Sequence, residues 1–175
     1  PEVFNKVSSG RYIWNLNGNA IIPLIKPTVE DIYELIKYND KLYYSAAYNP
    51  TTQLTHLASY DGSNATYYTG CHKPQLLTIW NNKMYYQCID YYYYGSNFWE
   101  YSTNFGTELW AYDGVLETQL TDIAVGLNGG LINTNELFPS SLGLIFFADD
   151  LIHGTELWKY DEVSATMISD YEPGV

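Results

Sequence analysis

The chain is 175 residues long, enough for one domain with a sizeable core, and nothing along it marks a second. Eight Lys and Arg against 20 Asp and Glu give a formal net charge of -12, a field that repels phosphate backbones and anionic headgroups and argues against a nucleic-acid partner. No apolar run approaches the roughly 20 residues that span a bilayer, so membrane insertion by a helix is excluded.

Tyr (19), Phe (6) and Trp (5) make up 17% of the chain, and such side chains suit the half-buried surface of a strand. The class expected is all-β. The chain opens on Pro1 rather than Met and reads as a mature or excised piece. The first elements are a strand over Val3 to Val7 and a second at Ile13-Trp14-Asn15-Leu16-Asn17-Gly18. Leu35 to Tyr44 then carries Asn39-Asp40 between two apolar runs, and Leu77 to Tyr86 repeats it with Asn81-Asn82 at an offset of 42. Asn and Asp tolerate positive φ, so both pairs predict two-residue hairpin turns. A looser copy is Leu142 to Phe147.

The strongest repeat comes later. Gly106 to Asp122 (GTELWAYDGVLETQLTD) and Gly154 to Asp170 (GTELWKYDEVSATMISD) share ten of seventeen residues at an offset of 48. Leu57 to Gly62 and Ile13 to Gly18 are weaker copies, with Ala58 in place of Trp and Asn17 in place of Asp. Asp61-Gly62 and Asp113-Gly114 read as further two-residue turns. Gly18, Gly62, Gly114 and Glu162 are spaced by 44, 52 and 48 residues, a propeller-like period. Each unit reads as strand, tight turn, strand, variable loop, strand, Asp-Gly turn, strand. The fold expected is a β-propeller of four-stranded antiparallel blades, with about four visible and the first incomplete, over units of approximately 1–26, 27–70, 71–124 and 125–175. Alternate residues of Leu42 to Ala47 leave neither face wholly polar, which suits a sheet covered on both sides. Trp14, Trp110 and Trp158 are expected to pack between blades.

The Gly-Thr-Glu-Leu-Trp-x-Tyr-Asp-Gly strings resemble the Glu-Leu-Trp-x-x-Asp-Gly-Thr repeat family, hyalin-like repeats of secreted and surface proteins. The resemblance is specific in the third and fourth units and degenerate in the first two. It implies a propeller in an extracellular or cell-surface setting, and no uniform ligand or activity. Three and a half blades leave three arrangements open: a fragment of a larger ring with further blades in a longer chain, an abbreviated closed ring, or half of a homo-oligomer.

A catalytic site has little to draw on. Arg11 is the only arginine, so a sialidase-type arginine cluster cannot be assembled. His56, His72 and His153 are scattered without zinc-ligand spacing and read as solvated. Cys71-His72 does not make a nucleophile and base, because neighbours on an extended chain point to opposite faces. If strands run alternately down and up, Cys71 in a loop between units and Cys88 at the end of a second strand share one end, where a disulfide closing their 17-residue separation contributes about 3 kcal/mol. Two free thiols are the alternative. Asp149 and Asp150 offer oxygens to calcium but lack the spacing of a dedicated loop, and no cofactor is expected. Gly129-Gly130 reads as a flexible connector, and Asn64-Ala65-Thr66 as a glycosylation sequon beside a turn.

The feature that points to function is the insertion Asp90 to Phe105, which carries Tyr91, Tyr92, Tyr93, Tyr94, Phe98, Trp99 and Tyr101. Loops favour small polar residues, so seven aromatics form either a local hydrophobic lid or a stacking surface for sugar rings or a protein partner. The function expected is therefore an extracellular adhesion or binding module for a glycan or protein, not an enzyme. The rivals are a structural subunit of an extracellular assembly that pairs blades between chains, and a non-catalytic part of a larger secreted enzyme.

Overall fold

The computed structural model describes residues 3–6, 13–17, 20–25, 32–47, 55–89, 91–94, 98–101, 106–125, 129–131, 134 and 136–171. Gly18, Asn49 to Thr52 and Glu172 to Val175 lie outside them. Every regular element among the described residues is a strand, and no helix there is long and apolar enough to cross a membrane.

The first sheet has three antiparallel strands, β1 (Val3–Lys6), β2 (Ile13–Asn17) and β3 (Ala20–Ile25). The second has four, β4 (Ile32–Tyr38), β5 (Lys41–Ala47), β6 (Thr55–Tyr60) and β7 (Ala65–Tyr67). In the third, β8 (Pro74–Trp80) and β9 (Lys83–Ile89) are separated in sequence from β12 (Thr107–Tyr112) and β13 (Glu117–Gln119) by a two-stranded ribbon, β10 (Tyr91–Tyr94) and β11 (Phe98–Tyr101). The fourth comprises β14 (Phe138–Ser140), β15 (Gly143–Asp149), β16 (Thr155–Tyr160) and β17 (Ala165–Met167). Every sheet is antiparallel, and in the third the ribbon is inserted between the neighbouring strands β9 and β12.

The turns obey residue chemistry, with one correction to the reading from sequence. Asn39-Asp40 and Asn81-Asn82 are two-residue turns with all four residues at positive φ, between 44° and 57°. The Asp-Gly turns are longer. Tyr60 pairs with Ala65, Tyr112 with Glu117 and Tyr160 with Ala165, so each connection has four residues. In each, the Asp Oδ1 accepts two backbone N–H groups: Ser63 and Asn64 on Asp61, Val115 and Leu116 on Asp113, Val163 and Ser164 on Asp161. The carboxylate closes the turn together with a backbone bond from the Asp N–H to the carbonyl three residues on. These bonds hold all three Asp carboxyls below their ordinary range.

The sheets stack face to face through alternating residues. Tyr43 and Leu57 of the second sheet meet Met84, Tyr86, Cys88 and Tyr112 of the third. Tyr112 lies 5.6 Å from Tyr43 and 4.9 Å from Tyr68 between ring centroids. On its other face the third sheet buries Tyr85, Leu109 and Ala111 against Leu144, Phe146, Ala148 and Tyr160 of the fourth. The half-buried Trp110 lies against the former cluster and Trp158 against the latter, the packing role read for them. Leu42, Tyr44, Ala46 and Ala58 are buried on the opposite face of the second sheet, so both inner sheets are covered on both sides. The leading strands β4, β8 and β14 run beside one another.

Candidate functional site

A meander puts its first and third turns at one end and its middle connection at the other. The loops between sheets join that second end. There stand both cysteines, the aromatic insertion, Asp149-Asp150 and Gly129-Gly130.

The glutamate of each Gly-Thr-Glu-Leu-Trp string organises this end, a role that the sequence reading missed. Glu108, the second residue of β12, is fully buried. Its Oε1 accepts N–H bonds from Gly130 (2.7 Å) and Ile123 (3.2 Å), and its Oε2 accepts the Thr121 hydroxyl at 2.6 Å. Thr121 in turn accepts the N–H of Leu109. Burial pushes the Glu108 carboxyl up, and these donors pull it partly back. Forty-eight residues on, Glu156 is also buried and accepts Ser169 Oγ (2.5 Å) and the N–H of Tyr171 (2.6 Å), while Ser169 accepts the N–H of Leu157. One carboxylate thus pins the loop leaving its own sheet in both copies. The signal lay in the repeat: a charged residue kept at the start of two apolar strands calls for a buried partner.

Gly129-Gly130 is not the flexible connector expected. Both residues are buried. A Cβ on Gly129 would meet the Thr107 backbone nitrogen at 2.0 Å, and one on Gly130 the Ile123 Cβ at 2.5 Å. Only glycine lets the chain approach closely enough to donate to Glu108.

In the second sheet His56 takes the glutamate's place. It is buried rather than solvated, and its Nδ1 bonds the carbonyl of Cys71 at 3.2 Å. The acceptor fixes the Nδ1–H tautomer. Burial, then the neighbouring His72, push His56 below its ordinary pKa. Cys71 and Cys88 form a disulfide with Cα atoms 5.7 Å apart, and both residues are buried. Cys88 sits opposite Glu108 in register. The bridge therefore ties the loop between second and third sheets to the strand beside the anchoring carboxylate, the shared end expected from strand direction. Non-reducing peptide mapping should recover one peptide containing both cysteines, whereas full alkylation of the native, oxidised protein would contradict the bridge. Next to it Glu117 accepts the Gly70 N–H (2.7 Å) and the Tyr86 hydroxyl (2.8 Å), so the third sheet grips the same loop again. Burial raises the Glu117 carboxyl.

The aromatic insertion is a ribbon rather than an irregular loop. Tyr91 pairs with Tyr101, Tyr92 with Glu100, Tyr93 with Trp99 and Tyr94 with Phe98. Directly paired residues share a face and the face alternates along a strand. Positions 91, 93, 99 and 101 therefore occupy one face, and 92, 94, 98 and 100 the other. Seven of the eight are aromatic. Asp90, 95–97 and 102–105 lie outside the described residues.

The remaining candidates separate. Asp149 Oδ1 accepts the Leu151 N–H, and Asp150 Oδ1 accepts those of Ile152 and His153. The Asp150 Oδ2 also meets His153 Nδ1 at 2.7 Å. These oxygens close a loop, and among the described residues no group of three or more His, Cys, Asp or Glu is placed to hold a metal ion. Asn64 is exposed at the opposite end, within the Asp61 turn.

No family model matches the sequence, and no curated protein sequence is detectably similar. Among solved structures, an acylaminoacyl peptidase from Pyrococcus horikoshii is similar over 97% of this chain, with a TM-score of 0.58 and 12% identity. The chain spans about a quarter of that protein's length, 25%. At this identity the likeness is one of fold alone: antiparallel sheets stacked in series.

Proposed function

We propose that this chain is a β-propeller segment of the Glu-Leu-Trp-x-x-Asp-Gly-Thr type, working outside the cell as a binding or adhesion module for a glycan or a protein. Face-to-face stacking, the parade of leading strands β4, β8 and β14 along one side, and the Glu108 and Glu156 anchors at equivalent positions support the propeller. The buried Cys71–Cys88 disulfide supports an oxidising compartment.

One observation carries the binding role. The ribbon has aromatic residues at positions on both faces, four on one and three on the other. A two-stranded ribbon can lay only one face on its own protein, so a lid accounts for at most the four aromatic positions of one face. Tyr and Trp combine flat apolar area with a polar handle, the chemistry that stacks on sugar rings or anchors a protein partner. A glycan array screened with the wild type, with Tyr93→Ala from one face and with Phe98→Ala from the other tests this. Each ring that stacks on ligand should weaken binding by about 1 to 2 kcal/mol when cut to Ala, with little change in melting temperature. Strong destabilisation of both variants with no ligand on the array would leave the ribbon as a lid.

A further inference from the structure

The turn that leads into β7 carries a signal that the binding role does not use. In Asn64-Ala65-Thr66 an Asn is followed two places on by Thr, with a residue other than Pro between them, which is the acceptor pattern for an N-linked oligosaccharide. It is the one such triplet in the sequence, because Asn49-Pro50-Thr51 is blocked by its proline. A three-residue pattern is common, so what matters is where the fold puts it.

Asn64, Ala65 and Thr66 are all exposed. Asn64 is held by its backbone: its N–H donates to Asp61 Oδ1 at 2.8 Å, and its carbonyl accepts the Asp61 N–H at 3.2 Å. Its side-chain amide has no hydrogen-bond partner among the described residues. Leu116 and Ser164 take the same place in the turns of the third and fourth sheets, and both are exposed. An amide, an aliphatic chain and a hydroxyl thus fit one position, since the bonds that close each turn come from the Asp and the backbone. Among the described residues β7 is also the outermost strand of its sheet, with backbone groups that pair on one side only. A bulky group on the Asn64 amide displaces no contact there and screens that edge against strand addition. The compartment agrees, because the Cys71–Cys88 bridge forms under the oxidising conditions of the secretory route on which such oligosaccharides are attached.

We propose that Asn64 is an N-glycosylation site, the acceptor of an oligosaccharide supplied on a polyprenyl diphosphate. The Asn64 Nδ2 bonds to the anomeric carbon of the first sugar as the bond from that carbon to the diphosphate oxygen breaks. Polyprenyl diphosphate leaves, and one amide proton passes to a base of the transferase. The modification rests on the extracellular reading for its compartment. It sits at the end opposite the ribbon, so the attached sugar belongs to the module's own coat and leaves the binding face clear.

Secretion of the 175-residue chain from cultured insect cells behind a cleavable leader, followed by intact mass measurement and peptide mapping, tests this. The main species should be heavier than the 20.1 kDa chain and return to that mass with peptide:N-glycosidase F, which leaves Asp at position 64. Asn64→Gln and Thr66→Ala should each abolish the added mass, and Thr66→Ser should retain it. Because the turn uses the Asn64 backbone, Asn64→Gln should melt with the enzyme-stripped wild type, so loss of the sugar is not loss of fold. A secreted chain with Asn64 bare, or an added mass that survives Asn64→Gln, overturns the proposal whether or not the cysteines are joined. Free cysteines beside a glycosylated Asn64 uphold it and count instead against the disulfide as support for the extracellular reading.

Discussion

Glu108→Ala is expected to lower the free energy of unfolding by about 3 to 5 kcal/mol, read from urea melts at constant m-value. The substitution strips acceptors from the Gly130 N–H, the Ile123 N–H and the Thr121 hydroxyl at once, and each buried donor left without a partner costs about 1 to 3 kcal/mol. Glu108→Gln should cost far less. Its carbonyl still accepts the two N–H groups, and its amide donates to Thr121 Oγ1. The same pair reads out the buried charge. Burial raises the folded pKa of Glu108 above its ordinary 4.5, so the folded state holds this proton more tightly than the unfolded chain. Its contribution is fully present below about pH 4.5 and is lost as pH rises through the folded value. The turn carboxylates Asp61, Asp113 and Asp161 act with the opposite sign, because their folded values are lowered. The informative quantity is therefore the wild type minus Glu108→Gln, which should fall as pH rises above 4.5. A flat difference would mean that burial does not raise the Glu108 carboxyl above its ordinary range.

Removing the disulfide by Cys71→Ala/Cys88→Ala should cost about 3 kcal/mol, or roughly 6 to 12 °C in melting temperature. The bridge closes a separation of 17 residues. Reductant should reproduce the loss in the wild type and leave the double variant unmoved. Because Cys88 lies opposite Glu108, combining the cysteine changes with Glu108→Ala should fall short of the sum of the two effects. Strict additivity would show that the bridge and the carboxylate hold separate structures.

The sheets were legible because their evidence is local and repeated. Asn39-Asp40 and Asn81-Asn82 announce positive φ through residue type alone, and an offset of 48 aligns whole strands. The Asp-Gly turns are two residues longer than their pattern suggests, since it does not reveal that the Asp side chain joins the backbone in closing the loop. Gly129-Gly130 looked slack because nothing adjacent in sequence presses on it. Its neighbours are Thr107 and Ile123, brought there by folding. Strand direction brings both cysteines to one end but leaves free thiols open, and the bond itself is visible only in the fold. The ribbon was read as an insertion, but its two-faced register, on which the binding argument turns, becomes visible only when strands are paired.

The exchange of glutamate for histidine at position 56 has a consequence for anyone who would idealise this sequence. At Glu108 an acceptor faces the N–H of Ile123, whereas at His56 a donor faces the C=O of Cys71, the residue 52 places earlier. The hydrogen bond survives with its polarity inverted. A consensus sequence that copied the commoner glutamate into position 56 would set a buried anion against a carbonyl dipole beside a disulfide. The units of this chain are interchangeable in shape but not in charge, and substitutions between them must travel as matched sets.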